Sequence, residues 1–268
     1  MTRCGVLGRP VRHSLSPVLH RAAYAALGLD WDYTAHEVDE GQLARFVRGC
    51  DASWRGLSLT MPLKRAVLPL FDEVTPVVRL VGAANTLVFD AGRRRGDNTD
   101  VGGVAAALAE AGVRDVESAL VLGAGATAAS AVVALAAAGL RRVELAARDV
   151  TRAAPTAELC RALGLKVTVS PLSGKLGAPV DLVLSTVPAS AAAVVSDDLL
   201  HAARAVFDVV YDPWPSPLLA RAAAGVVTLT GIDLLAHQAG LQVVAMTGQA
   251  VPVDVLRAAA TAALESRG

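Results

Sequence analysis

The sequence predicts an α/β protein in two parts, an N-terminal α/β domain and a second domain built on a doubly wound sheet. Three observations predict it. Short β-rich runs alternate with alanine-rich amphipathic segments along the chain, as in a mainly parallel sheet with crossover helices. From about Ser118 the alternation becomes regular, with six strand-like runs in succession. The 268 residues, 53% of them apolar, suffice for one large core or two of ordinary size.

Taken in order, RCGVLG reads as a strand and SPVLHRAAYAALG as a helix, then WDYTAHEV as a strand and EGQLARFVRGC as a helix. WRGLSLT is the third strand, and PLKRAVLPLF continues as a helical segment. Gly102-Gly103 and the helix VAAALAEAG put the joint near residue 102, giving a first domain of residues 1–101 and a second of 102–232. The second holds the strands ALVLGAG, RRVELAAR, KVTVS, VDLVLST, AVFDVVY and VVTLT, separated by helices such as TAASAVVALAAAG, which suits one doubly wound sheet. IDLLAHQAGLQVVAMTG and VPVDVLRAAATAALES read as two closing helices, expected to return to the first half, so that 233–268 join 1–101.

Bulk properties narrow the function. The 25 basic and 25 acidic residues cancel without long runs of one sign, so neither nucleic acid nor an acidic membrane surface is the expected partner, and a small molecule is. MTRCGVLGRP lacks the apolar stretch of a signal peptide, and the expected location is cytoplasmic. Cys4, Cys50 and Cys160 are odd in number and far apart, so they read as core thiols, with no metal site. Any self-association is expected to be a homodimer.

Gly123-Ala124-Gly125-Ala126-Thr127-Ala128 follows the strand ALVL and opens a helix, matching G-x-G-x-x-A. Gly123 permits the tight turn, Gly125 lets a pyrophosphate approach the backbone, and Ala128 lets the helix pack on the strand. This is a dinucleotide site. Ala147-Arg148-Asp149, at the end of the next strand, offers an arginine suited to a 2′-phosphate and an acid suited to a free ribose hydroxyl. Arg152 lies one helical turn beyond Arg148.

GLSLTMPLK, residues 56–64, raises a different question. Proline favours the first position of a helix, which puts Lys64 in the first turn, where the dipole disfavours a cation by a few tenths to about 1 kcal/mol. GRPVRHSLSPVLH places Ser14 and Ser16 beside a helix start at Pro17. Ser16 then reads as an N-cap, or the two hydroxyls as a site for a small carboxylate. VGAANTL and GDNTDVGG add Asn85 and Asp100, with Asp100 either capping a helix that starts at Val101 or engaging a ligand.

These segments together resemble the shikimate dehydrogenase family, which reduces 3-dehydroshikimate with NADPH in aromatic amino-acid biosynthesis. The resemblance continues through GAGATA, ARD, STVP, YDPWPSPLL and GIDLLAHQA, nearly the whole chain. It implies a substrate domain facing a Rossmann-type NADP-binding domain across a cleft. Residue by residue it implies that Ser14 and Ser16 bind the substrate carboxylate and that Thr60, Asn85, Asp100 and Gln238 bind ring hydroxyls. Tyr211 is implied as a further substrate contact. Lys64 and Asp100 are the implied catalytic pair, exchanging the proton at the reacting oxygen. Gly123, Ala124, Gly125, Ala126, Thr127, Ala147, Arg148, Arg152, Thr186, Val209 and Gly231 are implied to line the cofactor.

The chain also departs from the family pattern. It has Ser58-Leu59-Thr60 for the usual Asn-Val-Thr, Ala126-Thr127-Ala128 for Gly-Gly-Ala, Ala147-Arg148-Asp149 for Asn-Arg-Thr, and Leu234-Leu235 for Met-Leu. None removes an implied catalytic group. Asp149 leaves open an NAD-using quinate, shikimate or aminoshikimate dehydrogenase of the same family. A nicotinamide-binding regulator without catalysis would not need Lys64, Asn85, Asp100 and Gln238 together. His13, His20 and His237 read as structural or surface residues.

Overall fold

A computed structural model describes residues 1–173 and 176–267. The chain divides into two compact units, Met1–Gly103 with Leu235–Gly268, and Val104–Leu234.

In the first unit, β1 (Thr2–Gly8) leads to α1 (Ser16–Ala26), β2 (Trp31–Glu37) to α2 (Glu40–Arg48), and β3 (Trp54–Leu59) to a single turn, α3 (Leu63–Ala66). Asp39 caps α2 through a capping box with Gln42, and Arg45 and Arg48 lie in the last turn, where the dipole favours cations. The segment PLKRAVLPLF is thus not one helix: α3 gives way to a 3₁₀ turn at Leu68–Leu70, because Pro69 has no N–H to continue an α-ladder. Then come β4 (Glu73–Val74), α4 (Pro76–Val81), β5 (Thr86–Asp90), β6 (Arg93–Asp97) and α5 (Thr99–Glu110).

The first sheet runs β2-β1-β3-β5-β6-β4. It is mainly parallel, as expected, with three of its five pairings parallel and the single strand β5 reversed. β1 pairs in parallel with β2 and β3, but β5 is antiparallel to both β3 and β6. The hairpin turns at Ala91 (φ 48°) and Gly92 (φ 78°), the two positive-φ positions that a tight two-residue connection needs.

Alternation along the strands sends side chains to two cores. Leu7, Leu57 and Leu59 pack with Leu43, Val47, Leu63 and Val78 from α2, α3 and α4. Cys4 and Val6 face the other way, toward Tyr24, Tyr33, Val88 and Met246. Both sides of the sheet are therefore covered.

In the second unit the strands are β7 (Ser118–Leu122), β8 (Arg142–Ala147), β9 (Lys166–Pro171), β10 (Leu182–Ser185), β11 (Ala205–Asp208) and β12 (Val227–Leu229). All pair in parallel, in the order β12-β11-β10-β7-β8-β9. The helices are α6 (Ala126–Ala137), α7 (Ala154–Ala162), α8 (Ala189–Ala192) and α9 (Asp197–Ala202). Leu120, Leu122, Val183 and Val206 form one core with Ala192, Leu199 and Leu200, while Ala119, Val121 and Leu145, of opposite parity, are buried too. This is a doubly wound sheet whose order reverses direction between β7 and β10.

α10 (Gly231–Thr247) and α11 (Val253–Glu265) close the chain. From Leu235 on they belong to the first unit. Met246 packs against Gly56, where a Cβ would come within 2.7 Å of its side chain, and Arg55 donates to the carbonyls of Met246 and Phe89 at 2.7 and 2.8 Å. α11 packs along α1. Cys4 and Cys160 are buried, and no helix among the described residues is long and apolar enough to cross a membrane.

Candidate active site and dinucleotide site

Lys64 has its partner in the first unit. Lys64 Nζ lies 2.6 Å from Asp100 Oδ2, and the two side chains are only 16% and 6% exposed. α3 is one turn long, so it brings little dipole against the cation, and the adjacent carboxylate outweighs it. Burying such a pair is tolerable only if its remaining polar atoms are satisfied. Asn85, immediately before β5, has three acceptors within reach of its two Nδ2 hydrogens: Asp100 Oδ1 at 2.8 Å, Thr99 Oγ1 at 2.9 Å and Gln238 Oε1 at 3.2 Å.

The helix carrying Asp100 starts earlier than Val101, at Thr99. Asp100 therefore is not its cap. Asn98 takes that role, accepting from the Asp100 N–H through Oδ1 at 3.1 Å and donating to the Ala83 carbonyl at 2.9 Å. The Asp100 carboxylate is left free to face Lys64 and Asn85. Gln238, on α10, is buried, and its own amide donates to the Leu235 carbonyl at 3.0 Å.

Four of the sequence-identified residues, Lys64, Asn85, Asp100 and Gln238, thus form one connected cluster. Thr99 belongs to it as well, its N–H donating to Asn85 Oδ1 at 2.8 Å, and the sequence offered no sign of that beyond adjacency to Asp100. Ser14 and Ser16 form a separate pair. Ser16 does not cap α1; it is the first helical residue, and Ser14 Oγ accepts from its N–H at 3.3 Å. Ser14 is half-buried and Ser16 buried. Thr60 follows β3, its N–H donating to the Leu7 carbonyl at 2.9 Å.

In the second unit every implied cofactor residue but Arg152 lies at or just beyond the C-terminal end of a strand. Gly123 to Thr127 follow β7, Ala147 ends β8 and Arg148 follows it, Thr186 follows β10, Val209 follows β11 and Gly231 follows β12. Because the strands are parallel, these ends share one edge, at the reversal point where such sheets bind ligands. Arg152 lies in the 3₁₀ turn Thr151–Ala153. Tyr211 is half-buried in the loop after β11.

The two glycines of the turn differ. Gly123 has φ +102°, and a Cβ there would collide with Thr186 Oγ1, so the fold itself requires glycine. At Gly125 a Cβ would meet nothing within 4 Å. The backbone there is open, and no side chain caps the N-terminus of α6 that it begins, which fits a phosphate group. Thr156, which sequence reasoning missed, braces the turn by donating to the Ala124 carbonyl at 2.8 Å.

At the end of β8, Asp149 accepts from both the N–H and the hydroxyl of Thr151, at 3.0 and 2.6 Å, and these bonds hold its carboxyl below the usual range. Its charge is engaged in its own loop. Arg148 and Arg152 are exposed, and neither forms an ion pair among the described residues. The residues present fit a dinucleotide carrying a 2′-phosphate. In the loop after β11, Ser216 donates to Asp208 Oδ2 at 2.6 Å, and burial raises the Asp208 carboxyl pKa.

Residues 6–87 match a family model described as the shikimate dehydrogenase substrate binding domain. Across 98% of this chain, and 96% of the relative, the sequence is 40% identical to the shikimate dehydrogenase (NADP(+)) of Citrifermentans bemidjiense. The structure resembles that of Mycobacterium tuberculosis shikimate dehydrogenase with a TM-score of 0.88 and 40% identity, covering 98% of this chain and 100% of that one. It also resembles the Thermus thermophilus shikimate 5-dehydrogenase solved with NADP(H) and shikimate, with a TM-score of 0.79 and 33% identity over 98% of this chain and 100% of that one. The paired lysine and aspartate, the open glycine turn and these full-length likenesses agree, and the chain belongs to the shikimate dehydrogenase family.

Proposed function

We propose that the protein is an NADP-dependent oxidoreductase that interconverts 3-dehydroshikimate and shikimate, with the first unit holding the substrate and the second the dinucleotide. The observation that carries this reading is the Lys64–Asp100 pair at 2.6 Å, tied through Asn85 to Gln238, in the unit that contains the match to a substrate binding domain.

Reduction of a ring ketone needs a hydride at carbon and a proton at oxygen. The nicotinamide, when bound, supplies the hydride. Lys64, as the ammonium, donates the proton to the carbonyl oxygen, and in the reverse direction the pair takes it back. Asp100 holds Lys64 in place and accepts from the resulting hydroxyl. Asn85, Gln238 and Thr60 bind ring hydroxyls, Ser14 and Ser16 bind the carboxylate, and Tyr211 makes a further substrate contact. Gly123, Ala124, Gly125, Ala126 and Thr127 hold the pyrophosphate, Arg148 and Arg152 the 2′-phosphate, and Ala147, Thr186, Val209 and Gly231 line the remainder. The engagement of Asp149 with Thr151 supports NADP over NAD.

The experiment is shikimate-dependent reduction of NADP, with quinate and NAD as alternatives, on the parent and on Lys64→Ala. Lys64→Ala is expected to lower kcat and kcat/KM together by roughly 10²-fold or more, as for a group acting mainly in the transition state. Near-normal turnover would remove Lys64 as the acid. Homodimerisation and a cytoplasmic location belong to the proposal as well, tested by sedimentation and by fractionation.

A further inference from the structure

Behind the Lys64–Asp100 pair runs a buried chain of hydrogen bonds that the reaction does not itself require. At its centre is Gln242 of α10, 1% exposed. Its Nε2 lies 3.0 Å from the Asn85 carbonyl and 3.0 Å from Thr86 Oγ1, and its Oε1 lies 2.8 Å from Ser58 Oγ and 3.3 Å from His20 Nε2. Tyr33 in turn donates to Ser58 at 2.6 Å.

The direction of this chain follows from its chemistry. A backbone carbonyl can only accept, so the Gln242 atom facing Asn85 is the amide nitrogen, and its second hydrogen goes to Thr86. Thr86 has one proton of its own, and with Gln242 donating to it, that proton goes to Asn85 Oδ1, 2.8 Å away. The Asn85 oxygen also receives the Thr99 N–H at 2.8 Å. With its oxygen so occupied, the Asn85 amide turns Nδ2 toward Asp100 Oδ1 at 2.8 Å. Each of these Gln242 contacts stops short of Lys64 and Asp100, and the coupling runs through Thr86 and Asn85.

We propose that Gln242 is a positioning residue, whose amide sets the direction of hydrogen bonding through Thr86 and Asn85 and so fixes the Asp100 carboxylate against Lys64. The inference rests on the reading of Lys64 and Asp100 given above. The competing account is that Gln242 only ties α10 to β3 and β5.

Gln242→Leu deletes the donor. Gln242→Glu keeps the size but sets a carboxylate oxygen against the Asn85 carbonyl and draws the Thr86 proton away from Asn85. Tyr33→Phe removes a bond at the far end of the same chain without altering what Gln242 donates. Initial rates with shikimate and NADP, normalised to folded protein, are expected to show a fall in kcat of about tenfold for either Gln242 variant. KM for shikimate is expected to rise about three- to tenfold, because Asn85 also loosens, while KM for NADP stays unchanged. Tyr33→Phe is expected to lower thermal stability and leave the kinetic constants within twofold. A purely structural Gln242 would reduce the folded fraction without moving KM. If Gln242→Leu does not fold, Gln242→Glu decides. A folded Gln242→Glu with kcat and KM for shikimate within twofold of the parent overturns the proposal, as does Tyr33→Phe moving them as far. Lys64→Ala, run in parallel, separates the two readings: if it abolishes turnover and Gln242→Glu changes nothing, only the role of Gln242 falls.

Discussion

Acid should destabilise this protein through one buried histidine. His20 has no exposed surface, stacks on Tyr33 with ring centroids 4.1 Å apart, and meets Tyr24 edge-on at 5.9 Å. Gln242 Oε1 is its hydrogen-bond partner at Nε2, whereas Nδ1 has none, so a second proton would be buried without an acceptor. Burial lowers its pKa from 6.5 to about 4, only partly opposed by Gln242. In that window the unfolded chain binds a proton that the folded one refuses. The contribution of neutral His20 is complete above pH 6.5 and is lost as the pH falls toward 4, at up to about 1.4 kcal/mol per pH unit and about 3 kcal/mol in all.

The assay is urea unfolding at pH 7.5, 6.5, 5.5 and 4.5 for the parent and for His20→Phe. Phenylalanine keeps a ring over Tyr33 and cannot titrate, and Gln242 keeps Ser58. At pH 7.5 the variant is expected to be less stable by about 1 kcal/mol, the worth of the lost hydrogen bond. That deficit is expected to shrink below pH 6.5 and reverse by pH 4.5. His36, also lowered by burial and by Arg3, and the carboxylates titrate in both proteins, so they cancel in the difference. Parallel stability curves from pH 7.5 to 4.5 would refute the reasoning.

Three further outcomes follow from the two sites. The parent is expected to prefer NADP by at least tenfold in kcat/KM, and Arg148→Ala to erase most of that margin by weakening NADP alone, since a charge-assisted contact is worth about 1.5–3 kcal/mol; equal use of NAD by the parent would show that Asp149 faces the ribose. Gly123→Ala is expected to cost about 1–3 kcal/mol in thermal unfolding, because its positive φ and the contact with Thr186 forbid a Cβ, whereas Gly125→Ala leaves stability unchanged and raises KM for NADP. Ser14→Ala combined with Ser16→Ala is expected chiefly to raise KM for shikimate, with kcat little changed; the opposite pattern, lower stability at an unchanged KM, would assign the pair to the start of α1.

The sequence by itself determined the elements whose signals are local. The six parallel strands of the second unit and its strand–turn–helix at Gly123 were legible because hydrophobic runs, glycines and helical periodicity act over a few residues. The family resemblance named Lys64, Asn85, Asp100 and Gln238 through short motifs. What failed locally was weakly marked: the β5–β6 hairpin turns at Ala91-Gly92 rather than at Asn-Gly, and β6 begins Arg93-Arg94-Arg95, so nothing apolar announced a strand. Tertiary structure alone decided the partners. That Lys64 meets Asp100, that Asn85 meets Gln238, and that Gln242 joins His20 to Asn85 across more than 150 positions of sequence all depend on which side chains meet once the apolar faces are buried. A buried polar group must find its partner wherever packing delivers one, and that constraint has no period and no motif.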